Sequence, residues 1–235
     1  MLKTTEVLLD PAVYSETPDY LFCARAWPQQ LGVAGAGRGT TRFVGDHSGN
    51  YALRHYHRGG LVARLSRDRY LASGAQRSRS FQEWHLLAHL RRLALPVPEP
   101  VAARYARTGV FYRADILTRI IPDVATLAER LRAGALAEHD WRALGQLLAR
   151  FHEHGVFHAD LNAHNIVVNS AGDWYLLDFD RGEIRAAGDW QQGNLARLHR
   201  SLKKLAGQYP TLAFSAADWR ALLDGYSESS VARSA

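Results

Sequence analysis

The chain has 235 residues, enough for one sizeable domain or two small lobes, and its 47% hydrophobic and 22% charged residues exclude a largely disordered protein. A single cysteine, Cys23, excludes an internal disulfide and fits a reducing cytoplasm. No apolar run approaches the roughly 20 residues of a membrane span, and the N-terminus lacks the features of a secretory signal. We therefore expect a cytoplasmic protein.

The net charge favours anionic partners. The formal charge is +6 and the pI is about 9.7. Only Lys3, Lys203 and Lys204 are lysines, and arginine suits bidentate contacts with phosphate and carboxylate, although genome composition explains the arginine content equally well. Basicity alone fits nucleic acid, anionic lipid or a phosphorylated substrate. No interleaved aromatic and basic motif and no zinc spacing is present, so no nucleic-acid partner is expected.

The first half of the chain is predicted to be rich in strands. A glycine-rich loop, 32–39, comes first, and a basic connector runs from the second strand to about Arg79. Apolar side chains at helical spacing predict one helix over 81–93, which a run of prolines ends. Alternating patterns between turn signals predict strands at 40–45, 51–56, 101–107 and 110–120.

The second half is predicted to be mainly helical. An apolar stripe predicts a strong helix over 141–151, which Gly155 terminates. Two short strands at 166–169 and 174–177 and two further helices at 190–205 and 216–226 complete the list. The pattern indicates an α+β, bilobal protein with an N-lobe at 1–121, a C-lobe at 122–235 and a cleft near 116–123.

The candidate catalytic residues lie in one short stretch of the second half. Residues 158–165 read His-Ala-Asp-Leu-Asn-Ala-His-Asn, and Asp-Phe-Asp follows at 178–180, after the predicted hairpin. A phosphoryl acceptor needs a carboxylate that orients its hydroxyl, and a triphosphate needs magnesium held by oxygen ligands. The order of these residues resembles the protein-kinase-like superfamily. That resemblance implies a bilobal kinase fold that uses ATP and Mg²⁺.

The resemblance assigns a role to each matching residue. Asp160 is implied to be the catalytic base or the carboxylate that orients the substrate. Asn165 and Asp178 are implied to be magnesium ligands. His158 is implied to brace the loop rather than to carry a proton.

Some positions depart from the protein-kinase pattern. Asn162 stands where serine/threonine kinases usually have Lys, and Asp180 stands where they have Gly. Nothing after Asp180 resembles the Ala-Pro-Glu segment that closes a peptide-binding loop. Small-molecule and sugar kinases are therefore a better match than protein kinases.

The first half should supply a phosphate clamp. Glycines let backbone N–H groups approach phosphates closely, although the same run fits a surface turn. The kinase lysine is replaced by Arg54, for which the sequence offers no physical reason, and Glu83 on the predicted helix is its expected partner. The expected nucleotide-binding residues are Gly35, Gly37, Arg38, Gly39, Thr40, Arg54 and Glu83.

The basic connector is either a docking patch or a solvated loop. Its arginines include Arg58, Arg64, Arg67 and Arg69, with only Asp68 opposing them. As a patch, it would face an anionic substrate or a membrane surface.

Four runs resemble the 3-deoxy-D-manno-octulosonic acid (Kdo) kinase family of lipopolysaccharide-core kinases. They are residues 53–61, 95–100, 178–182 and 194–202. The resemblance implies an acceptor hydroxyl on the Kdo sugar of a lipid A precursor, in lipopolysaccharide inner-core synthesis. It also implies a peripheral position on the cytoplasmic face of the inner membrane of a Gram-negative bacterium, against an anionic lipid surface.

Several alternatives stay open. Heptose kinases of the lipopolysaccharide core are the nearest, and aminoglycoside-type kinases share the Asp-x-x-x-x-Asn loop but take cationic acceptors. A catalytically dead scaffold would explain Arg54. The clustered histidines suggest a transition-metal site, although His152 and His154 face different ways on a helix.

Overall fold

A computed structural model describes residues 3–34, 41–56, 70–72 and 74–231. It divides into two compact units, Met1–Arg92 with Pro98–Ile120 and Leu93–Val97 with Ile121–Ala235. The predicted α+β class is confirmed, because antiparallel strands dominate the first unit and helices dominate the second.

An antiparallel sheet forms most of the first unit. Six strands lie in the order β1-β6-β7-β4-β3-β2, and β5 also pairs with β7. The elements are β1 (Lys3–Leu9), β2 (Gln29–Ala34), β3 (Thr41–Asp46), β4 (Gly49–His55), β5 (Tyr70–Leu71), α1 (Arg79–Arg92), β6 (Pro100–Thr108) and β7 (Phe111–Arg119).

The segment between β1 and β2 packs on this sheet. Its Tyr14, Leu21 and Trp27 join strand residues in a buried cluster. Asp46, which is also buried, accepts hydrogen bonds from the hydroxyls of Tyr14 at 2.6 Å and Tyr20 at 2.9 Å. Burial alone would raise the pKa of Asp46, but hydrogen bonds from Ser48, Tyr14 and Tyr20 outweigh it and lower the pKa to about 2. The carboxylate therefore stays charged and ties the segment to β3.

The helix α1 is anchored at its start. The Ser80 hydroxyl donates to the Arg104 carbonyl of β6 at 2.9 Å. Phe81, Leu87 and Leu90 are buried along the helix, and so is Glu83, which faces the sheet side chains described below.

The second unit contains the predicted hairpin and the helices. The elements are β8 (Ala125–Thr126), α2 (Leu127–Ala133), α3 (Glu138–Glu153), β9 (Val156–Phe157), β10 (Ile166–Val168), β11 (Trp174–Leu176), β12 (Glu183–Ile184), α4 (Trp190–Gln208) and α5 (Ala216–Val231). The strand β10 pairs with β11 and β8, and β9 pairs with β12.

Most predicted elements are confirmed, with ends that differ by a few residues. The predicted helices at 81–93, 141–151, 190–205 and 216–226 correspond to α1, α3, α4 and α5, and the six predicted strands to β3, β4, β6, β7, β10 and β11. One boundary was wrong, since 32–34 belong to β2 and not to the glycine-rich loop, because they pair with β3. The strands β1, β2, β5, β8, β9 and β12 and the helix α2 were not predicted from the sequence.

No helix in the described ranges is long and apolar enough to cross a membrane.

Candidate active site

The loop 158–165 lies between β9 and β10 in the second unit. Gly155, with φ of +71°, turns the chain from the end of α3 into β9. A Cβ at Gly155 would lie 2.5 Å from the carbonyl oxygen of Arg185, so the close approach of these two backbone segments requires glycine. Leu161 and Ala163 are buried, which fixes the loop to the unit's core.

His158 links the loop to the segment that follows β11 and leads to Asp178. Its Nε2 lies 2.9 Å from the carbonyl oxygen of Leu177, so Nε2 holds the hydrogen and donates it. Its Nδ1 accepts from the backbone N–H of Asp160 at 3.2 Å. Burial lowers the pKa of His158 below its ordinary value, so the ring stays neutral. Both ring nitrogens therefore bond main-chain groups, so the side chain holds the loop to the segment before Asp178.

Two asparagines bond the carbonyl of Asp160. The side-chain amides of Asn162 and Asn165 each donate to it at 2.9 Å, and Oδ1 of Asn162 also accepts from the His164 N–H at 2.8 Å. Asn162 therefore shapes the loop. Asn165 bonds this carbonyl through its NH₂ group, so its Oδ1 could serve as a ligand for a metal ion.

The hairpin brings Asp178 next to Asn165 along the backbone. The Leu177 N–H donates to the Asn165 carbonyl at 2.8 Å, and Asp178 follows immediately. Asp178 has φ of +61°, a left-handed conformation that Asp tolerates, and its Oδ1 accepts from the Asp180 N–H at 3.4 Å. The fully buried Phe179 ring lies 4.9 Å from that of His158. This packing maintains the strained turn.

The helix α4 holds the loop at three points. Buried Asn194 accepts from the His158 N–H at 3.2 Å and donates to the His158 carbonyl at 3.0 Å. Arg197 contacts the Asp160 carboxylate. The Ser201 hydroxyl accepts from the Ala163 N–H at 3.3 Å. Asn194, Arg197 and Ser201 follow helical spacing, so they present one polar stripe to the loop.

Neither Asn194, Arg197 nor Ser201 was singled out as a site residue from the sequence. They lie within the run 194–202 that carries the family resemblance. The spacing of three and four residues on a predicted helix was the available signal, but the sequence does not say which loop the stripe meets.

In the first unit, the structure brings Arg54 and Glu83 together. Nη2 of Arg54 and the hydroxyl of Tyr56 both bond Oε2 of Glu83, which is buried. Nη2 also lies 3.3 Å from the Tyr56 hydroxyl, and the guanidinium sits over the Tyr56 ring at 4.9 Å. Burial, followed by the charge of Glu83, raises the pKa of Tyr56, so the hydroxyl stays protonated and donates to Glu83. These contacts hold the positively charged guanidinium of Arg54 in one position.

The other expected contact residues lie outside the described residues. They are Gly35, Gly37, Arg38, Gly39 and Thr40 of the glycine-rich loop, and Arg58, Arg64, Arg67 and Arg69 of the basic connector.

Oxygen donors are the metal ligands that the loop and hairpin offer. Within the described ranges, no group of three or more histidine, cysteine, aspartate or glutamate side chains is placed to hold a metal ion. Magnesium takes few protein ligands in phosphoryl-transfer sites, since it keeps waters and binds substrate phosphates. The Asn165 Oδ1 and the Asp178 carboxylate fit that small donor set.

The α+β fold, together with the loop 158–165 and Asp178, is typical of the kinase-like phosphotransferases. The model of the lipopolysaccharide kinase (Kdo/WaaP) family matches residues 25–226. The chain belongs to this family.

Curated relatives extend the match. A 3-deoxy-D-manno-octulosonic acid kinase of Xanthomonas euvesicatoria pv. vesicatoria (strain 85-10) is 46% identical over 203 residues, which are 86% of this chain and 81% of the relative. Proteins of the same name from Xylella fastidiosa (strain 9a5c) and Xanthomonas oryzae pv. oryzae (strain PXO99A) are each 48% identical, over 75% and 80% of this chain and 71% and 76% of theirs.

Proposed function

We propose that the protein transfers the γ-phosphoryl group of ATP to a hydroxyl of Kdo on a lipid A precursor, in lipopolysaccharide inner-core synthesis. The observation that carries the proposal is the Asp160 carboxylate, presented by a braced loop in a chain whose relatives are named Kdo kinases. Residues 1–121 and 122–235 serve as the N-lobe and C-lobe of one kinase domain.

Asp160 acts on the acceptor. Its Oδ1 is bonded by Arg197, while Oδ2 has no hydrogen-bond partner among the described residues. Oδ2 therefore accepts the hydrogen bond of the acceptor hydroxyl, orients its oxygen toward the phosphorus and takes the proton as the new O–P bond forms and ADP leaves.

Asn165 and Asp178 would hold magnesium with the Asn165 Oδ1 and the Asp178 carboxylate. The charge that a magnesium ion would supply there neutralises the phosphate oxygens of ATP. His158 does not exchange protons in this scheme, because its two nitrogens bond main-chain groups and its pKa is lowered by burial.

The nucleotide phosphates bind Arg54, which Glu83 orients, and the backbone of the glycine-rich loop. We expect Gly35, Gly37, Arg38, Gly39 and Thr40 to take part in phosphate binding, because glycine lets backbone N–H groups approach a phosphate closely. The guanidinium of Arg54 is a permanent cation with several N–H donors, so it can bond Glu83 and still offer N–H groups to a phosphate.

The protein works at the cytoplasmic face of the inner membrane of a Gram-negative bacterium, bound peripherally to anionic lipid. Its basic sequence supports this location, because Lys and Arg near an anionic leaflet each contribute about 1 kcal/mol of attraction. The basic connector with Arg58, Arg64, Arg67 and Arg69 is part of the surface that meets the substrate or the lipid. No nucleic-acid partner is involved.

Phosphate transfer from ATP to a Kdo-bearing lipid acceptor, compared between the wild-type protein and the variant Asp160→Asn, tests the proposal.

A further inference from the structure

Arg197 presents two edges of its guanidinium. The edge formed by Nε and Nη2 contacts Oδ1 of Asp160, with Nε at 3.1 Å. The other edge, formed by Nη1 and Nη2, has no acceptor among the residues that the structure describes. Two parallel N–H groups on that edge match the spacing of the two oxygens of a carboxylate or phosphate.

The free edge is accessible and carries a charge. The Arg197 side chain is 46% exposed and that of Asp160 is 52% exposed. The guanidinium is a planar cation whose N–H groups suit an oxyanion. The ion pair and the helical position of Arg197 fix where this edge lies relative to the carboxylate that acts on the acceptor.

The place of the Nη1 and Nη2 edge of Arg197, next to Asp160, indicates which kind of anion it would bind. In the proposed function, Oδ2 of Asp160 accepts a hydrogen bond from a hydroxyl of the acceptor molecule. An anionic group that the acceptor carries near this hydroxyl would therefore lie beside the Arg197 guanidinium, which bonds the same carboxylate. An acidic sugar carries such a group, since its carboxylate and its hydroxyls share one ring.

We infer that Arg197 binds the carboxylate of an acidic sugar acceptor through its Nη1 and Nη2 edge, while its other edge positions Asp160. The inference rests on the proposed function and deepens it. It makes Arg197 a specificity residue, which selects sugars that bear a carboxylate near the hydroxyl to be phosphorylated. A nucleotide phosphoryl oxygen offers the same oxyanion chemistry, and the experiment separates the two.

The test compares a Kdo-lipid acceptor with its carboxamide derivative, which keeps the shape and loses the charge. A hydrogen-bonded charge pair contributes about 1.5–3 kcal/mol, so the wild-type protein is expected to favour the acid in kcat/KM by roughly 10- to 100-fold. Arg197→Gln should remove most of this preference, and Arg197→Lys should retain part of it.

Arg200→Gln is the matched control, because Arg200 is exposed on the same helix, three residues along. It should keep the wild-type preference for the acid. Circular dichroism and thermal melting establish that each variant is folded.

Two kinetic outcomes overturn the inference. If Arg197→Gln slows the acid and the carboxamide equally, Arg197 only positions Asp160. If Arg197→Gln raises the KM for ATP and leaves the preference for the acid unchanged, the bound oxyanion is a phosphoryl group.

Titration of the protein with free Kdo, without nucleotide, measures binding affinity and does not depend on turnover. Wild-type binding that weakens at least tenfold in Arg197→Gln supports the inference, even if no Kdo acceptor is phosphorylated and the proposed function fails. Absence of any difference between the wild type and Arg197→Gln overturns it.

Discussion

At the scale of single residues, burial keeps two histidines of the second unit neutral. It lowers the pKa of His152 to about 4 and also lowers that of His158. Nδ1 of His152 lies 2.8 Å from the Tyr226 hydroxyl, and its ring packs edge-on against Trp190 with centroids 5.1 Å apart. Burial among these side chains disfavours the charged imidazole, which would lose its hydration there.

This burial predicts a loss of stability in acid. An unfolded histidine has a pKa of about 6.5, so between pH 6.5 and 4 the unfolded chain binds more protons than the folded chain. The free energy of unfolding should therefore fall as the pH drops through this range, by about 2 kcal/mol at pH 5 from His152 alone. Urea denaturation at several pH values measures this slope.

The variant His152→Phe should reduce the slope but not abolish it, because His158 contributes in the same direction. His139→Phe, on the same helix with 83% of its side chain exposed, is the control and should keep the wild-type slope. A wild-type slope in His152→Phe would contradict the assignment.

The sequence predicted Asp160, Asn165 and Asp178 as a set because one loop and one hairpin connect them locally. It also predicted the pairing of Arg54 with Glu83, from their places in a recognised order. The bonds that Asn194 and Arg197 make to the loop, in contrast, join residues 36 and 37 positions apart. Helical periodicity shows that they share a face, but only packing decides which segment that face meets.

At the scale of elements, α3 and α5 pack with almost no space between their backbones. A Cβ at Gly145 of α3 would lie 2.0 Å from the Leu222 carbonyl oxygen, and one at Gly225 of α5 would lie 2.2 Å from the Arg142 carbonyl oxygen. Glycine on each helix therefore allows the close approach. Gly193 of α4 differs, since nothing lies within 4 Å of its Cβ position.

Gly145→Ala should destabilise the protein because the two helices must separate to admit the methyl group. We expect a loss of about 1–3 kcal/mol in the free energy of unfolding. Gly193→Ala is the control and should stabilise by about 0.4–1 kcal/mol, since alanine restricts the unfolded chain and fits the helix. Urea denaturation of both variants decides. Equal effects of the two changes would show that α3 and α5 do not approach as described.

The sequence predicted long elements better than short ones. The helix α2 has seven residues, too few for a clear period, although Thr126 and Glu129 form a capping box that was available as a signal. The strand β1 is exposed along much of its length and lacks the alternation that marks a half-buried strand. Its place at the edge of the sheet beside β6 comes from tertiary pairing.

At the scale of the whole molecule, the exposed apolar side chains of Leu71 and Val110 lie near basic side chains in the first unit. Leu71 and Val110 are 64% and 62% exposed, and the Ala72 N–H donates to the Val110 carbonyl at 2.9 Å, so the two residues are neighbours. Arg107 and Arg113 lie exposed on the adjoining strands. Apolar side chains flanked by arginines suit an anionic bilayer surface.

The double variant Leu71→Ser with Val110→Ser should bind anionic vesicles about 30-fold more weakly, because each of the two apolar side chains contributes about 1 kcal/mol on partial burial. Co-sedimentation with vesicles of phosphatidylglycerol and phosphatidylethanolamine measures this. Leu31→Ser with Val33→Ser is the control, since these residues are 47% and 57% exposed on β2. Unchanged binding by the Leu71 and Val110 variant would exclude this surface.

In the proposed function, Asp160 directs the transfer of phosphate from ATP to Kdo. The most direct measurement incubates the purified protein with labelled ATP, magnesium and a panel of Kdo-lipid, heptose-bearing and aminoglycoside acceptors, and maps each product by mass spectrometry. We predict phosphate on Kdo only, and we expect the transfer to depend on magnesium. In a folded Asp160→Asn variant the rate should fall at least a thousandfold, which corresponds to about 4 kcal/mol in the barrier. Phosphate on heptose alone, or full activity in Asp160→Asn, would contradict the account.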